Sequence, residues 1–155
     1  MEPLRITRER PMLLAGIRRH HPFEEEGRGI GEQWLEFQKL FPARIQDRTR
    51  CYGVICGAGP SSFEYMCGTE VESLEALPTD MGRMRIHVQE YAVFEHPGPL
   101  SAIRSTWGAA FSWLKSSTVY QSAEKPDFEV YDKRFDPQTG SGIVEIWIAV
   151  VPKQG

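Results

Sequence analysis

Two apolar stripes along the chain repeat with the period of an α-helix, three or four residues apart. The first stripe consists of Ile30, Trp34, Phe37 and Phe41. The second stripe consists of Leu100, Ile103, Trp107, Ala110 or Phe111, and Leu114. Pro42 ends the first helix and Pro97-Gly98-Pro99 opens the second, because proline fits the first turn of a helix but not its interior. Two amphipathic helices are therefore predicted.

Six other stretches are predicted to be β-strands, because they are rich in β-branched and aromatic residues and are bounded by turn-forming residues. These strands cover residues 11–19, 51–58, 63–68, 84–95, 127–131 and 143–151. Residues 59–62 and 136–142 have the glycine, proline and serine content of turns between strands. Residues 1–10 are polar and are predicted to be extended.

The predicted elements follow the order strand, helix, strand, strand, and this order occurs twice. The first module covers about residues 10–83 and the second about residues 84–153. Two such modules pair their sheets and lay both helices on one face. The predicted fold is therefore α+β and pseudo-twofold, with an antiparallel sheet in a single domain over residues 1–155. A ligand groove is expected between the halves, since clefts at such junctions favour binding.

Composition excludes several functional classes. The chain has 155 residues and a formal net charge of −3, which argues against direct nucleic-acid binding, because displacing counterions from phosphates needs a basic excess. Its three cysteines and four histidines have no spacing typical of a disulfide framework or a metal site, so no metal is predicted. Gly27, Gly29 and Gly31 follow a charged loop and match a dinucleotide-binding motif poorly, so no cofactor is predicted.

The sequence carries no signal for membrane insertion or export. No apolar run approaches the roughly 20 residues that a membrane helix needs. The N-terminal segment lacks the apolar core of a signal peptide. A cytoplasmic protein without membrane contact is therefore predicted.

Glu145 is the first candidate for ligand-binding chemistry. On the last predicted strand, alternation places Val144, Ile146 and Ile148 on one face and Glu145 and Trp147 on the other. A buried carboxylate must be paired or functional, and burial raises its pKa while a bound cation lowers it again. A neighbouring tryptophan suits a flat or cationic ligand. The alternatives are a solvent-facing glutamate and a core or edge tryptophan.

Three further aromatic residues, Tyr131, Tyr65 and Trp113, are candidates for the walls of the groove. Tyr131 shares a strand face with Glu129, and this face is expected to join that of the candidate carboxylate if the last two strands form a hairpin. Otherwise the two residues form a surface pair. Tyr65 and Phe63 are the counterparts from the first module, and the sequence leaves open which of them faces the groove. Trp113 either covers the groove or packs in the core.

Five short motifs share their order and spacing with those of a known family. They are Phe63-Glu64-Tyr65-Met66-Cys67-Gly68, Phe94-Glu95-His96-Pro97-Gly98-Pro99, Trp113-Leu114-Lys115-Ser116-Ser117, Asp127-Phe128-Glu129-Val130-Tyr131 and Val144-Glu145-Ile146-Trp147-Ile148. Together they resemble the GyrI-like, AraC-type effector-binding family over about residues 10–153. The departures are Lys115 and Ala149, where the family often has proline, and Trp147, where it often has tyrosine.

The resemblance implies tandem strand–helix–strand–strand modules and an acidic residue, here Glu145, that points into the ligand groove. The family occurs as the sensor half of AraC- and MerR-type transcription regulators and as free-standing proteins. Because no helix-turn-helix is recognised in the sequence, the protein is expected to be free-standing. A transcriptional role would then require a separate regulatory protein as partner.

Three functions remain open from the sequence. The first is a binding module that senses or sequesters an aromatic, cationic drug or toxin through the candidate residues named above. The second is a hydrolase of reactive cyclopropane-type toxins, a reaction known in the family, with Glu145 as general base. The third is a topoisomerase-inhibiting interaction protein, in which Glu24-Glu25-Glu26 mimics nucleic-acid charge. The sequence does not determine the oligomeric state.

Overall fold

The structure is a computed structural model that describes residues 1–47 and 49–154. Its described part contains one antiparallel sheet and three α-helices. The strands are β1 (Arg5–Glu9), β2 (Met12–Pro22), β3 (Cys51–Ala58), β4 (Ser62–Glu70), β5 (Gly82–Ile86), β6 (Gln89–Pro99), β7 (Tyr120–Ser122), β8 (Asp127–Tyr131), β9 (Phe135–Asp136) and β10 (Ser141–Pro152). The helices are α1 (Ile30–Leu40), α2 (Pro42–Gln46) and α3 (Ile103–Ser116). None of these helices has the length and apolar content needed to span a bilayer.

The sheet is built from two copies of one motif. Its strand order is β1-β6-β10-β8-β3-β4-β2-β5, with the short β7 and β9 also paired to β10. The motif strand–helix–strand–strand is formed first by β2, α1, β3 and β4, and then by β6, α3, β8 and β10. The copies meet where β3 pairs with β8, and Gly53 lies opposite Glu129 at this junction. The prediction of an α+β fold with an antiparallel sheet and repeated modules is confirmed.

The predicted strand over residues 84–95 is two strands, β5 and β6, and β6 continues through Pro97 and Pro99. These prolines are tolerated because β1 pairs with β6 only as far as Val93, so the later part of β6 has a neighbour on one side only. The second helix consequently begins at Ile103, after a 3-10 turn at Leu100–Ala102. The sequence pattern also missed β1, β7 and β9.

The edge strands β1 and β5 are exchanged between the modules. The strand β1 precedes the first module but pairs with β6 of the second, and β5 precedes the second module but pairs with β2 of the first. Each link to the next strand is two residues long, at positions 10–11 and 87–88. Such short links require the two edges of the sheet to lie near each other, so the sheet curls on the face away from α1 and α3.

Both faces of the sheet are buried. Inside the curl lies a cluster rich in aromatic residues, which includes Tyr52, Tyr91, Phe128 and Trp147. On the outer face, α3 packs on β6 and β10 through Ala110 and Leu114. The helix α1 packs on β3 and β4 through Phe37, which is fully buried. The two helices therefore lie side by side on one face and leave a groove above the junction of the modules.

Candidate ligand-binding site

The floor of this groove carries a buried carboxylate. Glu129 lies on β8 at the junction of the modules and is only 7% exposed to solvent. The hydroxyls of Tyr65 and Tyr131 donate to its Oε1, at 2.8 and 2.7 Å. The indole Nε1 of Trp107 donates to its Oε2, at 2.9 Å. Both oxygens of the carboxylate are thus held by neutral donors from three elements, β4, β8 and α3.

A glycine makes the approach of Tyr65 to this carboxylate feasible. A Cβ at position 53 would lie 1.9 Å from the Tyr65 hydroxyl oxygen and 2.7 Å from Oε1 of Glu129. Both separations are far below van der Waals contact, so a side chain at Gly53 would displace the hydroxyl. The bare backbone at this position therefore belongs to the construction of the site.

Two tryptophans occupy equivalent places in the two modules. Trp34 is the fifth residue of α1, and Trp107 is the fifth residue of α3. While Trp107 binds Glu129, the Nε1 of Trp34 donates to the Tyr65 hydroxyl oxygen at 3.2 Å. Each indole thus projects from its helix toward the floor of the groove. The two indoles do so alike because they occupy the same position in helices that follow the first strand of each module.

Buried histidine contacts hold the two helices on the sheet. The Nε2 of His21, on β2, lies 2.7 Å from Oε1 of Gln33 on α1, and the Nδ1 of His96, on β6, lies 2.7 Å from Oγ1 of Thr106 on α3. Gln33 donates its amide to the carbonyl oxygens of Ile17 and Tyr65, so its Oε1 accepts from the histidine. Gln33 immediately precedes Trp34, and Thr106 immediately precedes Trp107. Each histidine contact therefore holds the helix that carries a groove tryptophan.

Burial dominates the electrostatics of the site. Burial raises the pKa of Glu129, and the hydrogen bonds from Trp107, Tyr131 and Tyr65 offset only part of that effect. Burial, together with the neighbouring charge of Glu129, raises the pKa of the Tyr65 and Tyr131 hydroxyls well above the ordinary value. Both tyrosines therefore remain protonated hydrogen-bond donors. A positive charge in the groove would stabilise the ionised carboxylate.

The groove above the carboxylate has a volume of about 490 Å³, which lies in the range of small-molecule sites. Its walls are apolar and aromatic and include Trp34, Trp107 and Phe63. Glu129 is the buried acidic group, and the other charged residues of the lining are exposed, namely Glu26 and Arg104. Phe23 at the rim stacks on Phe63 with ring centroids 5.8 Å apart. This arrangement can enclose a flat apolar ligand and present the faces of several rings to a positive charge.

The structure separates the sequence-predicted site residues into two groups. Tyr65 and Tyr131 lie together in the groove, and Phe63 lines it as well. Glu145 and Trp147 do not, because Glu145 pairs with Val130 and Ile146 pairs with Glu129 across the ladder of β8 and β10. A one-residue offset puts a side chain on the other face of a sheet. The expectation that Glu145 faces the same groove as Tyr131 is therefore wrong.

Glu145 is neither a groove residue nor a solvent-facing one. It is 5% exposed and accepts from Trp147 Nε1 at 2.9 Å, with Arg134 Nη2 at 3.1 Å and Arg5 Nη2 at 3.5 Å. Burial alone would raise its pKa, but the Trp147 hydrogen bond and the two arginines outweigh burial and hold the pKa below its ordinary value. The carboxylate of Glu145 is therefore neutralised by two arginines of the fold itself.

Trp113 lies outside the groove. Its ring packs edge-on against Phe94 at 5.5 Å, and its Nε1 donates to Glu2 at 3.0 Å. The core alternative considered for this tryptophan is therefore the observed one. The groove tryptophans Trp34 and Trp107 were recognised in the sequence only as members of the apolar stripes. The signal that could have found them is their matching place in the two repeats.

A curled antiparallel sheet of two strand–helix–strand–strand modules, with an aromatic groove between their helices, defines the class of effector-binding domains, which bind small molecules. The chain belongs to the family described as "Cass2: Integron-associated effector binding protein", whose model matches residues 5–150. The resemblance to effector-binding domains inferred from the short motifs is thereby confirmed.

A curated relative of the chain is a transcription regulator. The chain is 30% identical over 127 residues to the transcriptional regulator BrlR of Pseudomonas aeruginosa, a match that covers 80% of this chain and 47% of BrlR. The chain thus spans about half the length of that curated relative.

Solved structures share the fold at low sequence identity. SAV2435, solved bound to tetraphenylphosphonium, has a TM-score of 0.77 and 18% identity, with 97% of this chain and 94% of that chain covered. The integron cassette protein VCH_CASS2 of Vibrio cholerae has a TM-score of 0.71 and 17% identity, with 96% of each chain covered. At this level of identity the likeness establishes the fold.

Proposed function

We propose that the protein binds lipophilic aromatic cations in the groove, with Glu129 as the counter-charge. One observation carries this proposal: Glu129 is buried, and among the residues described by the structure no lysine or arginine forms an ion pair with it. An ionised carboxylate without a cation is costly to bury. A cationic ligand supplies the missing charge and at the same time fills the aromatic walls.

The chemistry of the groove favours a delocalised cation over a compact one. A compact ammonium is strongly hydrated and must lose that water on entry, whereas a phosphonium or a heteroaromatic cation spreads its charge under apolar rings. A volume of about 490 Å³ accommodates several rings of such a compound. The tetraphenylphosphonium complex of SAV2435, which has this fold, supports the same ligand class for this chain.

A fluorescence titration tests the proposal directly, because Trp34 and Trp107 line the groove. Tetraphenylphosphonium is expected to quench tryptophan emission saturably with one equivalent bound. The effect of charge is tested with two compounds that each carry three phenyl rings, the cation methyltriphenylphosphonium and the neutral triphenylphosphine oxide. The neutral compound is expected to bind at least tenfold more weakly. Equal affinities for the two compounds, or the lack of saturable quenching, would remove the cation from the proposal.

Binding of this cation is expected to weaken as the pH falls. The charge of tetraphenylphosphonium does not change with pH, so the protein alone determines the dependence. Because burial raises the pKa of Glu129, the free protein takes up a proton at a higher pH than an ordinary glutamate, and the neutral carboxyl no longer attracts the cation. Titrations from pH 8 into the acidic range should give a Kd that rises as the pH falls through the pKa of Glu129. A Kd that does not change with pH would contradict the assignment of Glu129 as the counter-charge.

The biological role that we propose is sensing or sequestering of such compounds. A transcription regulator is among the relatives. Ligand binding in the groove would therefore act on a regulatory module, either in the same polypeptide or in a separate protein. Trp34 and Trp107 come from different modules and both line the groove, so a ligand that contacts both indoles would couple the positions of α1 and α3.

Hydrolysis is the second candidate, and here it would use Glu129 rather than Glu145. A carboxylate with a raised pKa beside two protonated tyrosine hydroxyls is suited to act as general base on a water. A strained cyclopropane-type electrophile would be the substrate. Product formation with the wild type, and its loss in Glu129→Gln, would favour this reaction; binding without turnover would favour the sensor.

A further inference from the structure

A second, smaller chamber adjoins the groove behind two of its aromatic walls. Its volume is about 190 Å³, and it shares Trp34, Tyr131 and Leu100 with the groove. Trp34 and Tyr131 meet edge to face with centroids 5.1 Å apart, so this pair forms the partition between the two spaces. The remaining walls of the chamber come mainly from α2 and from the segments around β3 and β9, including Ile45.

Arg44, on α2, is the charged group of this chamber that the fold does not neutralise. It is half-buried and lines the chamber, and its guanidinium has no hydrogen-bond or ion-pair partner within residues 1–47 and 49–154. The acidic neighbour Asp132 is already engaged: its Oδ1 accepts from Arg134 Nε and its Oδ2 pairs with Arg134 Nη2, both at 3.0 Å. Burial would raise the pKa of Asp132, but these contacts hold it below the ordinary value.

Cys51, another residue of the chamber, does not compete for Arg44 as an anion. Burial raises the pKa of its thiol to about 11, so the sulfur remains protonated at neutral pH. Its Sγ donates to the carbonyl oxygen of Thr49 at 3.3 Å. The other polar residues of the chamber, Gln38 and Thr49, are uncharged. Within residues 1–47 and 49–154, Arg44 is therefore the positive group of this lining, and no anion pairs with it.

We infer that the groove and the chamber bind the two ends of one zwitterionic ligand: a lipophilic cationic head beside Glu129, and an aromatic arm with a carboxylate that pairs with Arg44. The head position rests on the proposed function, whereas the arm rests on the chamber and on Arg44. Guanidinium and carboxylate form two parallel hydrogen bonds, which makes this acceptor the best match for the unpaired arginine.

The dimensions limit the linker between head and arm. A cavity of roughly 150 Å³ binds benzene, so a chamber of about 190 Å³ accepts one aromatic ring. Glu129 and Tyr131 are two residues apart on β8, which corresponds to about 6.6 Å along the strand. The probes that test the inference therefore join the cationic centre to the ring through a single methylene group.

Three phosphonium compounds test the inference by titration with the full chain. Methyltriphenylphosphonium provides the head, benzyltriphenylphosphonium adds the ring, and (4-carboxybenzyl)triphenylphosphonium adds the ring and the carboxylate. With the wild type, the carboxybenzyl compound is expected to bind at least tenfold more tightly than the methyl compound, with the benzyl compound between them.

Arg44→Gln is expected to abolish the gain from the carboxylate and to leave the methyl compound unchanged. The matched control is Arg8→Gln, which removes the same charge from an exposed position on β1 and is expected to change none of the affinities. Ile45→Phe fills the chamber and is expected to remove the gain from the benzyl ring.

A carboxybenzyl compound that binds no better than the benzyl compound, or equal losses for all three compounds in Arg44→Gln, would overturn the two-chamber inference. Failure of the groove proposal has a different signature, namely methyltriphenylphosphonium binding that does not depend on Glu129.

Discussion

Glu129→Gln is expected to weaken tetraphenylphosphonium binding on the order of 100-fold. Removing one member of a buried charge pair costs roughly 2–5 kcal/mol, and about 1.4 kcal/mol corresponds to a factor of ten. The amide keeps the size of the side chain. With its oxygen toward Tyr65 and Tyr131 it still accepts from both hydroxyls, and only the indole of Trp107 loses its acceptor. The groove therefore keeps most of its hydrogen bonds, and the loss of affinity reports mainly the removed charge.

The fold is expected to tolerate this substitution. Since the pKa of Glu129 is raised by burial, its contribution to stability is present below the pKa of the unfolded chain and is lost as pH rises through the folded pKa. Glutamine has no such dependence, because its amide does not ionise. Denaturant unfolding over a pH series should therefore show that the wild type loses stability relative to the variant as pH rises through the folded pKa of Glu129.

The matched control for this variant is Glu145→Gln, which changes a carboxylate of similar burial on the opposite face. It leaves Arg5 and Arg134 with one anion fewer, so it is expected to lower stability while cation affinity stays within about twofold. The two variants discriminate between the face predicted from sequence and the face seen in the structure. Loss of binding in Glu145→Gln with retention in Glu129→Gln would refute the assignment of the site.

Gly53→Ala is expected to destabilise the protein by about 2–4 kcal/mol, the sum of overpacking and of a lost buried hydrogen bond. The added methyl group would meet the Tyr65 hydroxyl oxygen at 1.9 Å and the ring carbon Cζ at 2.8 Å, in a stack where Tyr65 is 1% exposed. Tyr65 must therefore move and release Glu129. Chemical denaturation measures the loss of stability, and the phosphonium titration should detect a weakened site in the fraction that remains folded.

Gly108→Ala is the internal control for the glycine substitution. Gly108 lies in the middle of α3, and a Cβ there would have no atom within 4 Å. Alanine in a helix interior is favoured over glycine by roughly 0.5–1 kcal/mol, so this variant should be slightly more stable than the wild type. If both alanine variants were equally stable, the close approach of Tyr65 to residue 53 would be disproved.

The sequence was sufficient for the repeated module and for the helices, because those depend on short-range periodicity. Trp34 and Trp107 fall on apolar stripes that any amphipathic helix would display. The choice of carboxylate was not accessible in this way. Glu129 and Glu145 both interrupt apolar strands, and only the pairing of Ile146 with Glu129 decides which one shares the face of the helices. Strand register depends on contacts between distant residues, and it is not encoded in either strand alone.

The edge strands escaped prediction for a related reason. Residues 5–9 carry alternating polar side chains, and their strand conformation follows from pairing with β6 almost ninety positions later. The prolines at the end of β6 have the composition of a break, yet the missing neighbour on one side makes them acceptable. Composition describes what a segment can do in isolation, and these two segments acquire their conformation from what lies beside them.

The exchange of β1 and β5 also restricts how the protein can respond to a ligand. A hinge that swung one module away from the other would have to break the pairing of β3 with β8 and separate β1 and β5 from the two edges of the sheet. The modules are thus fastened as one rigid body, unlike lobes that open and shut around a cleft. Any mechanical signal from the groove must travel through small shifts of α1 and α3 over a fixed platform. A partner that reads the bound state would therefore contact those helices.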